Sequence, residues 1–329
     1  MDKPDTRRVV LLGKTGTGKS SLANIIFGED VFRINHFNDL KACVSEGKTK
    51  SVNGRSMTLI DTPGLFDPGK SDKDMRPEMM RCITECAPGP HAFLIVLKVE
   101  KFTEQEKAIV TRIREHFTED ALKHAVVVFT HGDQLNDGEK IDEYVQQSEG
   151  LNNLVKKCGG RCHVFDSKYW KNNQQDEYRS NQFQVDGLLN SIEQIVMDNN
   201  GGYYTNEMLQ RVESEIKKEI ELNKLSSGDS SPETIRRQAK SAVLKKLLEN
   251  GGWSWRKGIL GLALATGLMA VVAMWINSKA RVKVEIPEKE IIAQPAAAPV
   301  KAVQNTFVLI MDRLWDLYER IYNPWNSFE

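Results

Sequence analysis

Short apolar runs recur along the first part of the chain, each bounded by polar or glycine-rich segments and followed by positions at helical spacing. Strands covered on both faces read this way, as uninterrupted apolar stretches. The pattern predicts strands over residues 8–12, 56–60, 91–97, 125–130 and 161–165, with a helix over residues 20–27. Asn53-Gly54 lies between residues 48–52 and 55–60 and is a two-residue hairpin signal, so an antiparallel edge strand should precede the strand at 56–60. Thr103 and Glu106 form a capping box that opens a helix running to about residue 116. The expected fold is α/β: a doubly wound, mostly parallel sheet with an antiparallel edge strand and a ligand at the carboxyl ends of its strands.

Past residue 200 the pattern changes. Two helix-like segments, 205–224 and 232–249, are separated by Ser226-Ser227-Gly228-Asp229-Ser230-Ser231, and Ser231 before Pro232 marks a helix start. They read as a solvated stalk, with a partner-binding coiled coil as the alternative. Residues 258–276 then form a run of nineteen positions without a charge, Thr266 the one polar residue. That is long enough to span a bilayer. Arg256 and Lys257 precede it, Lys279, Arg281 and Lys283 follow it, and Trp253, Trp255 and Trp275 lie near its ends as an aromatic belt would require. Basic residues on both sides leave its orientation open. After a Pro/Ala-rich linker, residues 306–322 carry Phe307, Ile310, Met311, Leu314, Leu317, Tyr318 and Ile321 at helical spacing, a terminal amphipathic helix for a membrane surface or for the protein itself.

The 329 residues exceed what one core normally organises, which suggests a domain of about 200 residues with extensions. Basic and acidic residues balance at 45 each, so nothing global points to a nucleic-acid partner. Cys43, Cys82, Cys86, Cys158 and Cys162 make an odd set behind an N-terminus that has no apolar signal sequence, and they read as free thiols in a reducing cytosol. A zinc site from the two closely spaced pairs would need a spacing unlike the usual finger patterns.

The chemistry concentrates at the ends of the predicted strands. Gly13-Lys14-Thr15-Gly16-Thr17-Gly18-Lys19-Ser20 fits GxxxxGK[ST] between the first strand and the first helix, where glycines let backbone N–H groups turn around a phosphate chain. Lys19 should reach the terminal phosphates, Ser20 should ligate Mg2+, and Ser21 belongs to the same nucleotide-binding set. Asp61-Thr62-Pro63-Gly64 ends a later strand, placing Asp61 to hold Mg2+ through water and the Gly64 N–H to face a terminal phosphate. Thr130-His131-Gly132-Asp133 ends another. There the Asp133 carboxylate can accept from guanine N1–H and the exocyclic amine together, which adenine does not offer; an ATP-dependent reading holds only if Asp133 does not read the base. Ser167, after the last strand, is the further base-side contact.

These motifs, with Lys101-Phe102-Thr103-Glu104-Gln105-Glu106 and Asn200-Gly201-Gly202-Tyr203-Tyr204-Thr205, resemble the AIG1-type G domain of the GIMAP/IAN family of immunity-associated GTPases over about residues 7–225. The resemblance implies a P-loop GTPase fold, GTP/GDP binding with Mg2+, nucleotide-dependent dimers or oligomers, and in several members a C-terminal anchor in an internal membrane. It implies the organisation 1–6 tail, 7–225 G domain, 226–257 linker and helix, 258–276 transmembrane helix and 277–329 linker and terminal helix. Three positions depart from the family pattern. No threonine stands near Asn38–Cys43 to complete the magnesium site, Leu65 replaces a water-orienting glutamine, and Lys101 stands where an arginine finger acting in trans is often found. Lysine brings charge without the planar fork, and a solvated residue ahead of a helix cap is an equally good account of Lys101. The expectation is a slow GTPase switch on the cytoplasmic face of an intracellular membrane, self-associating in the GTP state; the alternative is a GTP-dependent scaffold that does not hydrolyse.

Overall fold

A computed structural model describes residues 6–34, 44–62, 64, 65, 67, 69–170, 176–226 and 231–249. Its centre is a six-stranded sheet of β1 (Arg7–Leu12), β2 (Glu46–Val52), β3 (Arg55–Asp61), β4 (Ala92–Lys98), β5 (Ala125–Thr130) and β6 (Cys162–Val164), in the order β2-β3-β1-β4-β5-β6. All neighbouring pairs are parallel except β2 with β3. That pair turns at Asn53 and Gly54, whose φ values of 48° and 79° give the mirror-image turn whose twist matches a hairpin. The chain moves from β1 to β3 on one side and returns to β4 on the other, so the crevice at the carboxyl end of β1 is the topological switch point.

Strand alternation divides the core into two layers. Val9 and Leu11 of β1, Ala92, Leu94 and Val96 of β4, and Val126 and Val128 of β5 face α1 (Lys19–Phe27) and α6 (Asn181–Asp198), meeting Leu22, Ile26, Leu188 and Ile192. Val10, Leu12, Phe93, Ile95, Leu97, Val127 and Phe129 face the opposite way. They pack under α2 (Asp72–Cys86), α3 (Glu104–Phe117), α4 (Ile141–Gln146), α5 (Glu149–Lys157) and α7 (Glu207–Ser226). The capping box at the head of α3 is present: the Thr103 N–H donates to Glu106 at 3.0 Å and Thr103 Oγ1 accepts from the Gln105 N–H at 3.3 Å. Cys82, Cys86 and Cys158 are buried free thiols and Cys162 is half-buried; burial pushes the Cys158 thiol up to about 12. Among the described residues no cluster is arranged to hold a metal through these cysteines.

The stalk expectation is corrected. The helix α8 (Pro232–Glu249) does not stand in solvent beside α7 but lies on the domain, with Ile235, Ala239 and Val243 buried along one stripe. Arg236 donates to Glu213 of α7 at 2.8 and 3.2 Å and to the Ala87 carbonyl at 3.0 Å, and the Lys240 ammonium donates to the Glu85 carbonyl at 2.6 Å. Arg236 and Lys240, which look solvated in the sequence, are thus spent on α7 and on the end of α2. Cys43, the stretch 38–43, the apolar run 258–276 and the segment 306–322 lie outside the described residues. Among the described residues no helix is long and apolar enough to cross a membrane.

Candidate functional site

The phosphate loop leaves β1 at Gly13 and enters α1 at Lys19, with Gly16 and Gly18 at φ of 80° and 82° turning the backbone inward. The Thr17 N–H and hydroxyl close the loop on the Lys14 carbonyl at 3.2 and 2.9 Å. Lys19 is 5% exposed, and its ammonium rests on the carbonyls of Gly13 and Lys14 at 2.9 and 2.8 Å. A positive charge is therefore held on two backbone carbonyls of a glycine-rich loop at a helix N-terminus, an arrangement suited to an anion.

Beside it, the Ser20 hydroxyl donates to Asp61 Oδ2 at 2.5 Å. Burial pushes the Asp61 carboxyl above the ordinary carboxylate range, countered by the Ser20 hydrogen bond and the Lys19 charge. Its other oxygen, Oδ1, is buried without a hydrogen-bond partner. An orphaned carboxylate oxygen next to a hydroxyl is a donor set that suits a hard divalent cation, which takes oxygen ligands and usually keeps several waters. The residues present fit Mg2+.

The base side is tied to the phosphate side. The Thr130 hydroxyl, at the end of β5, lies 2.8 Å from the Thr17 carbonyl and 3.2 Å from the Leu97 carbonyl, so it fixes the height of the following loop against the phosphate loop. His131 takes left-handed backbone (φ 61°) and is exposed. Asp133 sits in the short turn Gly132–Gln134, where Oδ2 accepts from the Gln134 amide at 2.7 Å. Trp170, 3% exposed, packs so closely on Gly132 that a Cβ there would fall 2.6 Å from its ring. Ser167 is exposed in the neighbouring loop, whose shape comes from Asp166: its Oδ1 accepts from the Lys168 N–H at 2.8 Å and from the Tyr169 N–H. Thr130, Asp133 and Ser167 thus belong to adjoining loops at the carboxyl ends of β5 and β6.

Leu65 lies in the core, whereas Lys101 is solvated ahead of a helix cap, as one of its two readings has it. Leu65 is 1% exposed and belongs to the core beneath α2. Lys101 is exposed ahead of α3, and no ion pair joins it to another described residue. Sequence reasoning missed three groups: Gln105, whose Oε1 accepts from the Lys14 ammonium at 2.5 Å; Asp67, bonded to Thr15; and Arg112 of α3, which donates to the Asp67 carbonyl at 3.1 Å. Asp67 stands three residues after Gly64, and nothing local says where its side chain points.

The sequence profile of the AIG1 family matches residues 7–223. Immune-associated nucleotide-binding protein 9 of Arabidopsis thaliana is 31% identical over 66% of this chain and 64% of its own length. Immune-associated nucleotide-binding protein 1 of the same plant is 32% identical over 62% of this chain and 90% of its own length. Human GTPase IMAP family member 8 is 32% identical over 60% of this chain, which spans 29% of that protein. Among solved structures, Toc33 from Arabidopsis thaliana in complex with GDP and Mg2+ aligns over 59% of this chain and 85% of that one, at 20% identity and a TM-score of 0.47.

Proposed function

The chain belongs to the AIG1 family, and on that premise we propose that it binds guanine nucleotides as a slow GTPase switch that self-associates in its GTP form on the cytoplasmic face of an intracellular membrane. The observation that carries the reading is the meeting of Lys19, Ser20 and Asp61, a buried ammonium and an orphaned carboxylate oxygen around one glycine-rich loop. Gly13 to Gly18 would wrap the phosphates, Lys19 would neutralise their terminal charge, and the Asp133 carboxylate would accept from the guanine edge with Ser167 beside it. Ser20 and, through water, Asp61 would hold Mg2+, which when bound neutralises charge on the phosphate oxygens.

Turnover is expected to be slow because Leu65 lies in the core and cannot orient a water. A neighbour's Lys101 is the candidate for supplying charge in trans, and its exposure leaves it available for that contact. The run 258–276 is the proposed single-pass anchor. The same two observations, a buried Leu65 and an unengaged Lys101, favour as a second reading a GTP-dependent scaffold that does not hydrolyse. Single-turnover hydrolysis with protein in excess over GTP separates the two. A rate that rises with protein concentration supports the switch, and a rate equal to buffer at every concentration supports the scaffold. If ATP competes as well as GTP for the unmutated protein, the guanine assignment fails.

A further inference from the structure

Gly132 is a glycine for a reason that its own backbone does not supply. Unlike Gly16 and Gly18 it takes no left-handed φ, and it opens the short turn Gly132–Gln134 in a conformation that any residue adopts. What excludes a side chain is Trp170: a Cβ on Gly132 would fall 2.6 Å from Cη2 and 2.7 Å from Cζ2 of the indole. Trp170 is 3% exposed and belongs to the same core layer as Phe129, Leu135 and Val164, so the ring has no open side to swing into.

The indole is fixed from its own loop as well. Asp166 Oδ1 accepts from the Lys168 and Tyr169 N–H groups, the Asp166 N–H donates to Asn181 Oδ1 of α6 at 3.1 Å, and the Asn181 amide donates back to the Asp166 carbonyl at 2.6 Å. The turn packed against the ring is held at both ends. The Gly132 N–H donates to the Phe165 carbonyl at 3.0 Å, and the Leu135 N–H closes the turn on the Gly132 carbonyl at 3.2 Å. Between those two bonds stands Asp133, half-buried, with the Gln134 amide on Oδ2. Its height at the carboxyl end of β5 therefore depends on the ring packed against Gly132.

Reading a base with one carboxylate is sensitive to that height. Hydrogen bonds to N1–H and to the exocyclic amine must both close at about 2.7–3.2 Å, and a displacement of about 1 Å breaks one or both. Resting on the reading of Asp133 as the acceptor for guanine, we infer that Trp170 is the positioning residue for base discrimination, holding the turn at Gly132 where the Asp133 carboxylate meets N1–H and the 2-amino group together. Ser167 lies three residues before Trp170, so a shift of the indole reaches both base-side loops.

The test is a titration of the full chain with GDP, with ADP and with inosine diphosphate, which keeps N1–H and lacks the 2-amino group. It compares the unmutated protein with Trp170→Leu, Trp170→Phe, Gly132→Ala and the double variant of Gly132→Ala with Trp170→Leu. Trp170→Leu should lower the preference for GDP over inosine diphosphate by about tenfold, while the response of affinity to Mg2+, which reports the phosphate side, stays the same. Trp170→Phe, which keeps an aromatic ring in the space, should lose about threefold or less. Gly132→Ala should lose as much as Trp170→Leu, and the double variant should recover part of the loss, because the shorter side chain leaves room for the added methyl. A role confined to stability would lower both affinities through the folded fraction and leave their ratio alone. A ratio unmoved by Trp170→Leu or, should that variant not fold, by Gly132→Ala overturns the inference and leaves the guanine reading standing, as does a double variant that recovers nothing. Equal affinities for GDP and inosine diphosphate in the unmutated chain also overturn it, and if ADP binds equally well the guanine reading falls with it.

Discussion

At the amino ends of the central strands His91 Nδ1 accepts from the Arg8 N–H at 2.9 Å, Arg8 donates to the Gly89 carbonyl at 2.7 Å, and the Arg8 guanidinium lies 5.0 Å from the centre of the Tyr203 ring. At the carboxyl ends of the same strands, Asp61 keeps a buried oxygen without a partner, and Lys19 is folded onto backbone carbonyls. The first rim is closed by Tyr204, whose ring meets Phe93, Phe117 and His124 and whose N–H donates to the Pro90 carbonyl at 2.8 Å. The first rim pairs Arg8 and His91 with each other and with a backbone carbonyl, and leaves His124 Nδ1 buried without a hydrogen-bond partner. The other holds charges for a ligand and is less stable on its own, the usual trade at a binding site.

The comparison breaks most visibly through Tyr204→Ala. Emptying that aromatic cluster should cost about 4 kcal/mol of unfolding free energy, with nucleotide affinity of the folded fraction unchanged. Denaturant unfolding beside a nucleotide titration measures both, and a parallel loss of affinity would mean that the rims are not independent. Lys19→Ala is the converse. It should weaken nucleotide binding by at least about 100-fold, close to 2.7 kcal/mol, with a melting temperature only a few degrees lower. Retained affinity would remove Lys19 from the phosphate site.

Acid should attack the closed rim. Burial, with the Arg8 charge beside it, lowers the His91 pKa from 6.5 to about 3. Because the folded value lies below the unfolded one, the unfolded chain takes the proton first. The stability His91 confers is complete above about pH 6.5 and is lost as pH falls from there toward pH 3, about 2 kcal/mol of it by pH 5. His91→Asn keeps an acceptor for the Arg8 N–H and does not titrate. Unfolding curves at pH 7 and pH 5 should differ less for this variant than for the unmutated chain, and an equal difference would exclude His91 as a source of acid sensitivity.

The smallest effect has the opposite sign. Asp61 is raised by burial, so above its folded pKa the ionised carboxylate costs stability. Asp61→Asn should be neutral or raise the stability of the magnesium- and nucleotide-free protein by up to about 1 kcal/mol. The same change should make nucleotide affinity insensitive to Mg2+, and a destabilised variant whose affinity still responds to Mg2+ would refute the assignment.

Much of this was legible locally. The phosphate loop, the Asn53-Gly54 hairpin and the Thr103–Glu106 box each depend on backbone angles and contacts within a few residues, and they formed where the pattern placed them. The Asn200-Gly201-Gly202-Tyr203-Tyr204-Thr205 segment marked the family, yet its role emerged only from its place against Arg8, Phe93 and Phe117, more than eighty residues away. The α8 helix was misjudged for a similar reason. Arg236 and Lys240 look solvated until Glu213, Glu85 and the Ala87 carbonyl are brought to them.

What the sequence by itself determined, then, is the order of the strands and the identity of the phosphate-binding loop, because both follow from apolar patterning and short-range backbone geometry. Tertiary structure alone decided which side chains face the site. It turned Leu65 into the core, brought Gln105 and Asp67 onto Lys14 and Thr15, and left Asp61 Oδ1 without a partner. Those outcomes depend on where the turn after β3 and the head of α3 come to rest against the phosphate loop, and no residue in one segment carries the position of another until packing fixes both.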